Sequence, residues 1–372
     1  MLARRNLLHD RVRFAVTLTG IVFAVVLSSI QLGLFVGFRR ATSDLIRFSG
    51  ADIWVRSAGV THLETPVAFS DSKRYEVLAV PGVADAQSHL VNFAQWKKPN
   101  GADEGILVIG MERRAVMGRP WNIVEGSIER LSEPDAVIVD ELYKKKLGIT
   151  RVGERFEIRG VRARVVGFTR GIRSFTTAPP VFTTIDNARR FLRLPVEQTL
   201  YVLVKVKPGA VVADVARGIE AQVSDISADT TDNWRVAQEG YWMFGTGAGI
   251  TVLIAAALGL LVGIVVVAQT IYAATVDHIR EYGTLKAMGA TNAYLLRVIV
   301  SQAIISALIG GALGIGIGLT AAHGSQSGTT AIIVPLPLAA SLLALTVVMC
   351  VIASLVSINK VVRLDPAMVF KG

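Results

Sequence analysis

The chain of 372 residues is 52% hydrophobic and 18% charged, with a formal charge of +10 and a mean hydropathy of +0.49. It is too apolar for an ordinary soluble enzyme and too charged for a bare bundle of membrane spans, so spans joined to one sizeable water-exposed domain are expected. One cysteine, Cys350, excludes an internal disulfide, and five scattered histidines (His9, His62, His89, His278 and His323) show no metal-ligand spacing.

The basic start MLARRNLLHDRVR (1–13) runs into Phe14–Phe38, which contains no Asp, Glu, Lys or Arg. That run is long enough to cross a bilayer as span one (14–38), a task that takes about 20 apolar residues. At about 25 residues it exceeds the core of a signal peptide and lacks a small-x-small cleavage site, so an uncleaved anchor is expected.

Residues 39–245 read as an α+β domain with a stalk. ADIWVR (51–56), GILVIGM (105–111), AVIVD (136–140), RFEIRG (155–160), RARVVGF (162–168) and LYVLVKV (200–206) alternate like strands. RFEIRGVRARVVGF reads as a hairpin around Gly160. DSKRYEVLAV (71–80), stopped by Pro81-Gly82, and AVVADVARGIEAQV (210–223) read as helices. Strands mixed with short helices suggest two subdomains. Lys144, Lys145 and Lys146 read as a solvated face before a lipid or partner contact, and Trp54, Trp96, Trp121 and Trp234 as packing before a ligand cage. The sequence contains no G-x-S-x-G, H-E-x-x-H or G-x-x-x-x-G-K-[ST] pattern.

The charge-free run 240–276 holds span two (246–276). A polar connector (277–297), span three (298–322), a short loop (323–335), span four (336–358, opened by Pro335 and Pro337) and a tail (359–372) follow. Gly259 and Gly263 in span two, and Gly310, Gly314 and Gly318 in span three, recur every four residues, a spacing that lets helices approach closely. Packing within the chain is the first expectation and a dimer seam the second. Gln31 and Gln269 are lone polar groups expected to bond a neighbouring helix, each other included. No acidic or basic residue lies at the centre of a span, which argues against an ion-coupled transporter.

Lys and Arg set the orientation. Arg4, Arg5, Arg11 and Arg13 precede span one, Arg280, Lys286 and Arg297 lie in the connector, and Lys360, Arg363 and Lys371 follow span four. Loop 323–335 has neither residue type. Both tails and the connector are therefore expected in the cytoplasm, and 39–245 and 323–335 outside, with Arg39 and Arg40 a minor dissent. Residues 41–240 hold 27 basic and 25 acidic residues, so most of the positive excess sits in span flanks and tails. It signals topology and gives no reason to expect nucleic acid as a partner.

In the connector Ile279, Tyr282, Leu285 and Met288 recur every three residues, Gly289 fits a left-handed stop, and Thr291 or Asn292 can cap the next helix. Such an elbow suits a passive helix on lipid headgroups or one that fills a groove on a cytoplasmic partner. The spacing alone serves both.

The segment IREYGTLKAMGATNAYLLRVIVSQA (279–303) resembles the one after the second span in permeases of the MacB/FtsX/LolC superfamily. LARRNLLHDRVRFAVTLTGIVFAV (2–25) resembles that family's cytoplasmic amphipathic helix leading into span one, VVRLDPAMVFKG (361–372) its tail, and the order of one span, a large external domain and three spans its plan. TGIVFAVVLSSIQLG, GADIWVRS and NFAQWKKP look most like the DevC branch, known for export through a membrane-fusion adaptor; the namesake's glycolipid does not carry over.

The resemblance implies a four-helix type VII ABC permease of the bacterial inner membrane, in contact with lipid and with its domain in the periplasm. It would be a homodimer paired with a cytoplasmic ABC ATPase subunit that binds ATP and Mg, so this chain would be non-catalytic and hold no cofactor. Glu281, Tyr282, Gly283, Leu285, Lys286, Met288, Gly289 and Ala290 would form the ATPase-coupling elbow. Mechanotransmission to the external domain would drive efflux of a lipid-like or other amphipathic substrate, through an HlyD-type adaptor and an outer-membrane channel. The alternatives are FtsX-like activation of an external cell-wall hydrolase, for which a domain of this size is large, and LolC-like lipoprotein release.

Overall fold

The computed structural model describes residues 11–277, 283–286, 288–328 and 331–362. The chain divides into a helical unit (Met1–Gly37, Thr251–Ser325, Ala331–Gly372) and an α+β unit (Phe38–Ile250, Gln326–Thr330). Among the described residues the helices are α1 (Arg11–Ala41), α2 (Asp44–Arg47), α3 (Lys73–Ala79), α4 (Lys144–Leu147), α5 (Ile185–Leu192), α6 (Val212–Gln222), α7 (Thr231–Phe244), α8 (Gly247–Asp277), α9 (Asn292–Gly324) and α10 (Leu336–Val362). The strands are β1 (Ile53–Ser57), β2 (Phe69–Ser70), β3 (Val83–Lys97), β4 (Asp103–Met111), β5 (Ile123–Gly126), β6 (Ala136–Asp140), β7 (Arg155–Ile158), β8 (Val161–Thr169), β9 (Pro180–Thr184), β10 (Gln198–Thr199), β11 (Tyr201–Val206) and β12 (Ile226–Thr230).

In the α+β unit one sheet runs β12-β1-β11-β3-β4-β9-β6-β8-β5, with β7 bridging β3 and β8, while β2 and β10 pair separately. The β4–β9 and β6–β8 pairs are parallel and the other pairs in the sheet antiparallel. Strand period explains the two cores. In β1, Ile53 and Val55 enter one core and Trp54 the other; in β11, Val202 and Val204 enter the first while Tyr201 and Leu203 enter the second. Alternate side chains of a strand point to opposite faces. The smaller core is closed by Val77 of α3 and by Val215 and Ile219 of α6. The larger one takes in Trp96, Phe168 and Phe182, with Ala188 and Phe191 from α5 and Trp234 from α7.

The six strand readings fall on β1, β4, β6, β7, β8 and β11, and the two helix readings on α3 and α6. The β7–β8 hairpin turns at Arg159 (φ 48°) and Gly160 (φ 79°), the paired positive φ of a two-residue hairpin loop. The sequence reading did not anticipate β3, β9, β12, α5 or α7. Period fails in β3 because buried positions there include Gln87, Ser88 and His89. Trp54, Trp96 and Trp234 are fully buried, and Trp121 stacks on Phe48 at 4.7 Å. The lysine cluster is tied within its own unit: Lys144 lies over the Phe168 ring at 3.7 Å, and Lys146 donates to the Thr177 carbonyl at 2.6 Å.

The helical unit contains helices long and apolar enough to cross a membrane at Phe14–Ala41, Gly247–Asp277, Asn292–Gly324 and Leu336–Val356. Their common core joins Ile21 and Val25 of α1, Val267 and Ile271 of α8, Ala303 and Ala307 of α9, and Cys350 of α10. Phe23, Leu258, Leu313 and Val348 are exposed, the outward apolar surface that lipid rather than water would cover.

Close packing of α5 on the sheet rests on Gly110, where an added Cβ would lie 2.4 Å from Ala188 Cβ. Gly110→Val is expected to destabilise the α+β unit by about 1–3 kcal/mol through overpacking. Gly105→Val, on the same strand with nothing within 4 Å of the added Cβ, should be close to neutral. Thermal unfolding of both variants in detergent checks the contrast.

Candidate functional site

Of the residues expected to form the coupling elbow, Glu281 and Tyr282 lie outside the described residues. The rest form a tightly specified corner. Residues 283–286 are helical. The turn closes when Gly289 N–H donates to Lys286 O at 3.0 Å and Ala290 N–H to Leu285 O at 3.0 Å, with Met288 N–H donating to Thr284 O at 3.0 Å. This pair of bonds around a left-handed residue is the Schellman stop, and Gly289 takes φ +93°, where a side chain is strained. Two residues later the Thr291 hydroxyl accepts from Tyr294 N–H at 3.3 Å, starting α9 as an N-cap. Sequence thus writes both the stop and the restart. Gly283 is buried, whereas Met288 is 71% exposed, a large apolar side chain left uncovered by the described residues.

The glycines predicted to set helix packing all meet neighbours within the helical unit. An added Cβ on Gly259 would lie 2.7 Å from Gln31, on Gly263 2.9 Å from Ser28, on Gly310 2.8 Å from Ile21, on Gly314 2.7 Å from Val25 and on Gly318 2.8 Å from Ser29. Every one of these partners is on α1. Gln31 and Gln269 do not pair. Gln31 rests on Gly259, which is ten residues and so about 15 Å along α8 from Gln269.

The sequence reading missed a charged knot at the start of the α+β unit. Glu239 of α7 accepts from the Ser43 hydroxyl at 2.8 Å and from Arg235 at 2.9 Å, and faces Arg39 and Arg47 at 3.6 Å each. Beside it Asp44 opens α2, and burial raises its pKa to about 6, opposed by Arg47, Arg40 and Arg173 and assisted by Glu239. The only sequence signal was the pair Arg39 and Arg40, read as a topological dissent. A cleft of about 280 Å³ elsewhere in this unit is lined by Met111, Arg113, Arg114, Arg119, Ile128 and Leu131, among others, with no His or Cys in its wall. Among the described residues no group of three or more His, Cys, Asp or Glu is placed to hold a metal ion.

Residues 14–222 match the family model of the MacB-like periplasmic core domain, and residues 244–366 that of the FtsX-like permease C-terminal region. The elbow and all five packing glycines fall in the second. The chain is 24% identical over 388 residues to an ABC transporter permease of Mycobacterium tuberculosis, covering 100% of this chain and 99% of that protein. Against a Mycobacterium bovis ABC transporter permease it is 22% identical over 377 residues, 97% of this chain and 96% of the other. It is 23% identical to the pyoverdine export ATP-binding/permease protein PvdT of Pseudomonas fluorescens, covering 96% of this chain and 56% of that protein. The periplasmic region of MacB from Actinobacillus actinomycetemcomitans aligns with a TM-score of 0.39 at 11% identity, over 52% of this chain and 95% of that one. The extracellular domain of the transporter YknZ from Gram-positive bacteria aligns with a TM-score of 0.36 at 13% identity, over 48% of this chain and 99% of that one.

Two outcomes follow. Gly314→Leu should destabilise the helical unit, while Gly316→Leu, with open space at its Cβ, should not; unfolding in detergent and size-exclusion profiles separate them. Asp44 has its folded-state pKa raised, so its contribution to stability is present below about pH 4 and lost as pH rises through about 6. Asp44→Asn should therefore stabilise the protein by about 1–3 kcal/mol at pH 8 and by close to nothing at about pH 3, read as the difference in unfolding midpoint between variant and parent.

Proposed function

Because the chain belongs to the MacB/FtsX permease family of ABC transporters, we propose that it is the membrane subunit that passes ATP-driven movement from a cytoplasmic ATPase to a domain outside the membrane. The family implies a partnering ATPase. The chain contains no phosphate-cradling G-x-x-x-x-G-K-[ST] sequence, which favours a separate nucleotide-binding subunit. The orientation proposed is the one the Lys and Arg pattern favours: α1 leads out of the cytoplasm, the α+β unit lies outside, and the elbow between α8 and α9 returns to the cytoplasmic face of the inner membrane.

The observation that carries the reading is the elbow. A flexible loop would suffice to join two spans, yet this one is a capped, hydrogen-bonded corner with an exposed Met288 on its turn. A hydrogen-bonded turn that presents an exposed apolar side chain suits docking in a groove on a partner. Gly283, Leu285, Lys286, Met288, Gly289 and Ala290 make up the described part of the docking arm, with Glu281 and Tyr282 assigned by resemblance.

For the cargo step, export of a lipid-like or amphipathic substrate is favoured, with two copies of the chain, an HlyD-type adaptor and an outer-membrane channel. The DevC-like segments and the export role in the name of PvdT support this choice. FtsX-like activation of a cell-wall hydrolase and LolC-like lipoprotein release use the same elbow and differ in what the outer domain meets. Met288→Asp and Gly289→Val should each weaken association with the partner ATPase by about tenfold or more, measured by co-purification in mild detergent, and lower the ATP turnover of the complex. Undiminished association and turnover in both variants would remove the docking assignment. The proteins that co-purify with the parent chain decide between adaptor and hydrolase.

A further inference from the structure

The α+β unit is built from two chain segments, 38–250 and 326–330, and one small group of side chains holds their ends. Phe175 meets Phe38 edge-on at 6.0 Å and tilts against Trp242 at 4.3 Å. Trp242 Nε1 donates to Glu64 Oε2 at 3.1 Å. Gln238 Nε2 lies 3.0 Å from each Glu64 carboxylate oxygen and 3.1 Å from the Thr42 carbonyl, while Gln238 Oε1 accepts from Leu63 N–H at 2.9 Å. Arg173, two residues before Phe175, donates to Gly328 O at 3.1 Å and to Gln326 O at 2.5 Å. Phe38 and Thr42 stand where the first segment begins, Gln238 and Trp242 where it ends, and Gln326 and Gly328 in the second segment.

Loop 171–178 carries both Arg173 and Phe175, and its root is fixed in the sheet. Ile172 N–H donates to Asp140 Oδ2 at 2.7 Å, and Ser174 N–H to the Tyr143 hydroxyl at 3.0 Å. Asp140 and Tyr143 are fully buried, and Asp140 also accepts from Thr169 at the end of β8 at 2.9 Å. A load on the chain ends therefore has a short, packed route to β6 and β8. Glu64 is 6% exposed and accepts from the neutral Gln238 and Trp242 side chains, so among the described residues it serves as an acceptor hub and not as half of an ion pair.

We propose that loop 171–178, Trp242 and the Glu64–Gln238 pair form a clasp that passes a load on the ends of the α+β unit to β6 and β8 of its sheet. The clasp rests on the reading that ATP-driven movement reaches this unit, and it names the residues through which that movement passes. Arg173 and Phe175 are positioning residues: they touch no nucleotide and no cargo.

The test uses the full chain with its partner ATPase in lipid nanodiscs, comparing backbone hydrogen exchange with ADP and with ATP plus vanadate. The parent complex is expected to respond both around 283–290 and in β6 and β8. In the double variant Arg173→Ala, Phe175→Ala the response around 283–290 persists while that of β6 and β8 falls at least about threefold. Basal protection of the sheet without nucleotide reports that the variant is folded. A retained sheet response in the folded variant overturns the clasp and leaves the coupling reading standing. A parent complex that responds at neither place overturns both.

If the double variant does not fold, a tether decides. Phe38→Cys with Phe175→Cys in a Cys350→Ser background, bridged by a short reducible bis-thiol reagent, should leave the sheet response intact. A tether that abolishes it, with recovery on reduction, shows that these residues must separate and overturns the clasp.

Discussion

The α+β unit depends on one strand that belongs to both of its halves. β3 runs from Val83 to Lys97, about 50 Å at strand rise. It pairs β11 through its first half and β4 through its second, and His89 faces Tyr201 on one side and Met111 on the other. Two cores that share a continuous backbone member cannot slide past each other without breaking its ladders. The strand changes partners at a buried imidazole that lies edge-on to Trp54 at 5.7 Å. Burial lowers the pKa of His89 to about 4, so the junction stays neutral at physiological pH. Gly118 completes it: φ is +67°, and an added Cβ would come within 2.7 Å of His89 Nδ1.

In the helical unit the same role of common member falls to α1. At five contacts its neighbours bring glycine and α1 brings the larger group, Gln31 and Ser28 against α8 and Ile21, Val25 and Ser29 against α9, while at Gly20 the roles reverse against Thr270 of α8. Lipid tails are as apolar as these side chains, so close packing and not the hydrophobic effect must hold such helices together. Small-to-large contacts along one helix specify register as well as distance, since a slide of one residue would place a Cβ where no space exists.

Much of this was legible in the sequence wherever one physical signal acts alone. Continuous apolar runs gave the four long helices, and strict alternation gave strands such as Arg155–Ile158, where exposed and buried positions take turns. Gly289 and Thr291 are readable as stop and cap because both act on their own backbone. The signal failed where tertiary context overrides pattern. Gln87, Ser88 and His89 are polar by type yet buried in β3, and α7 carries Trp234 and Gln238 inward on a helix that reads as an undistinguished lead to the second span. The Glu239 knot and the group around Glu64 could not be read at all. Their members lie up to 196 residues apart, and no local rule connects Ser43 to Glu239 or Thr42 to Gln238.

The arrangement of small and large groups along α1 also has a consequence for synthesis. The first helix is made long before its partners. Ser28 meets Gly263, and Gln31 meets Gly259, so more than 200 residues must be translated before either contact exists, roughly 10–50 s at ordinary elongation rates. During that interval the polar groups of α1 stand in the bilayer without the helix they were shaped to meet. The order of the chain therefore sets a waiting period in assembly, and the α+β unit can fold within it while its first anchor is still alone.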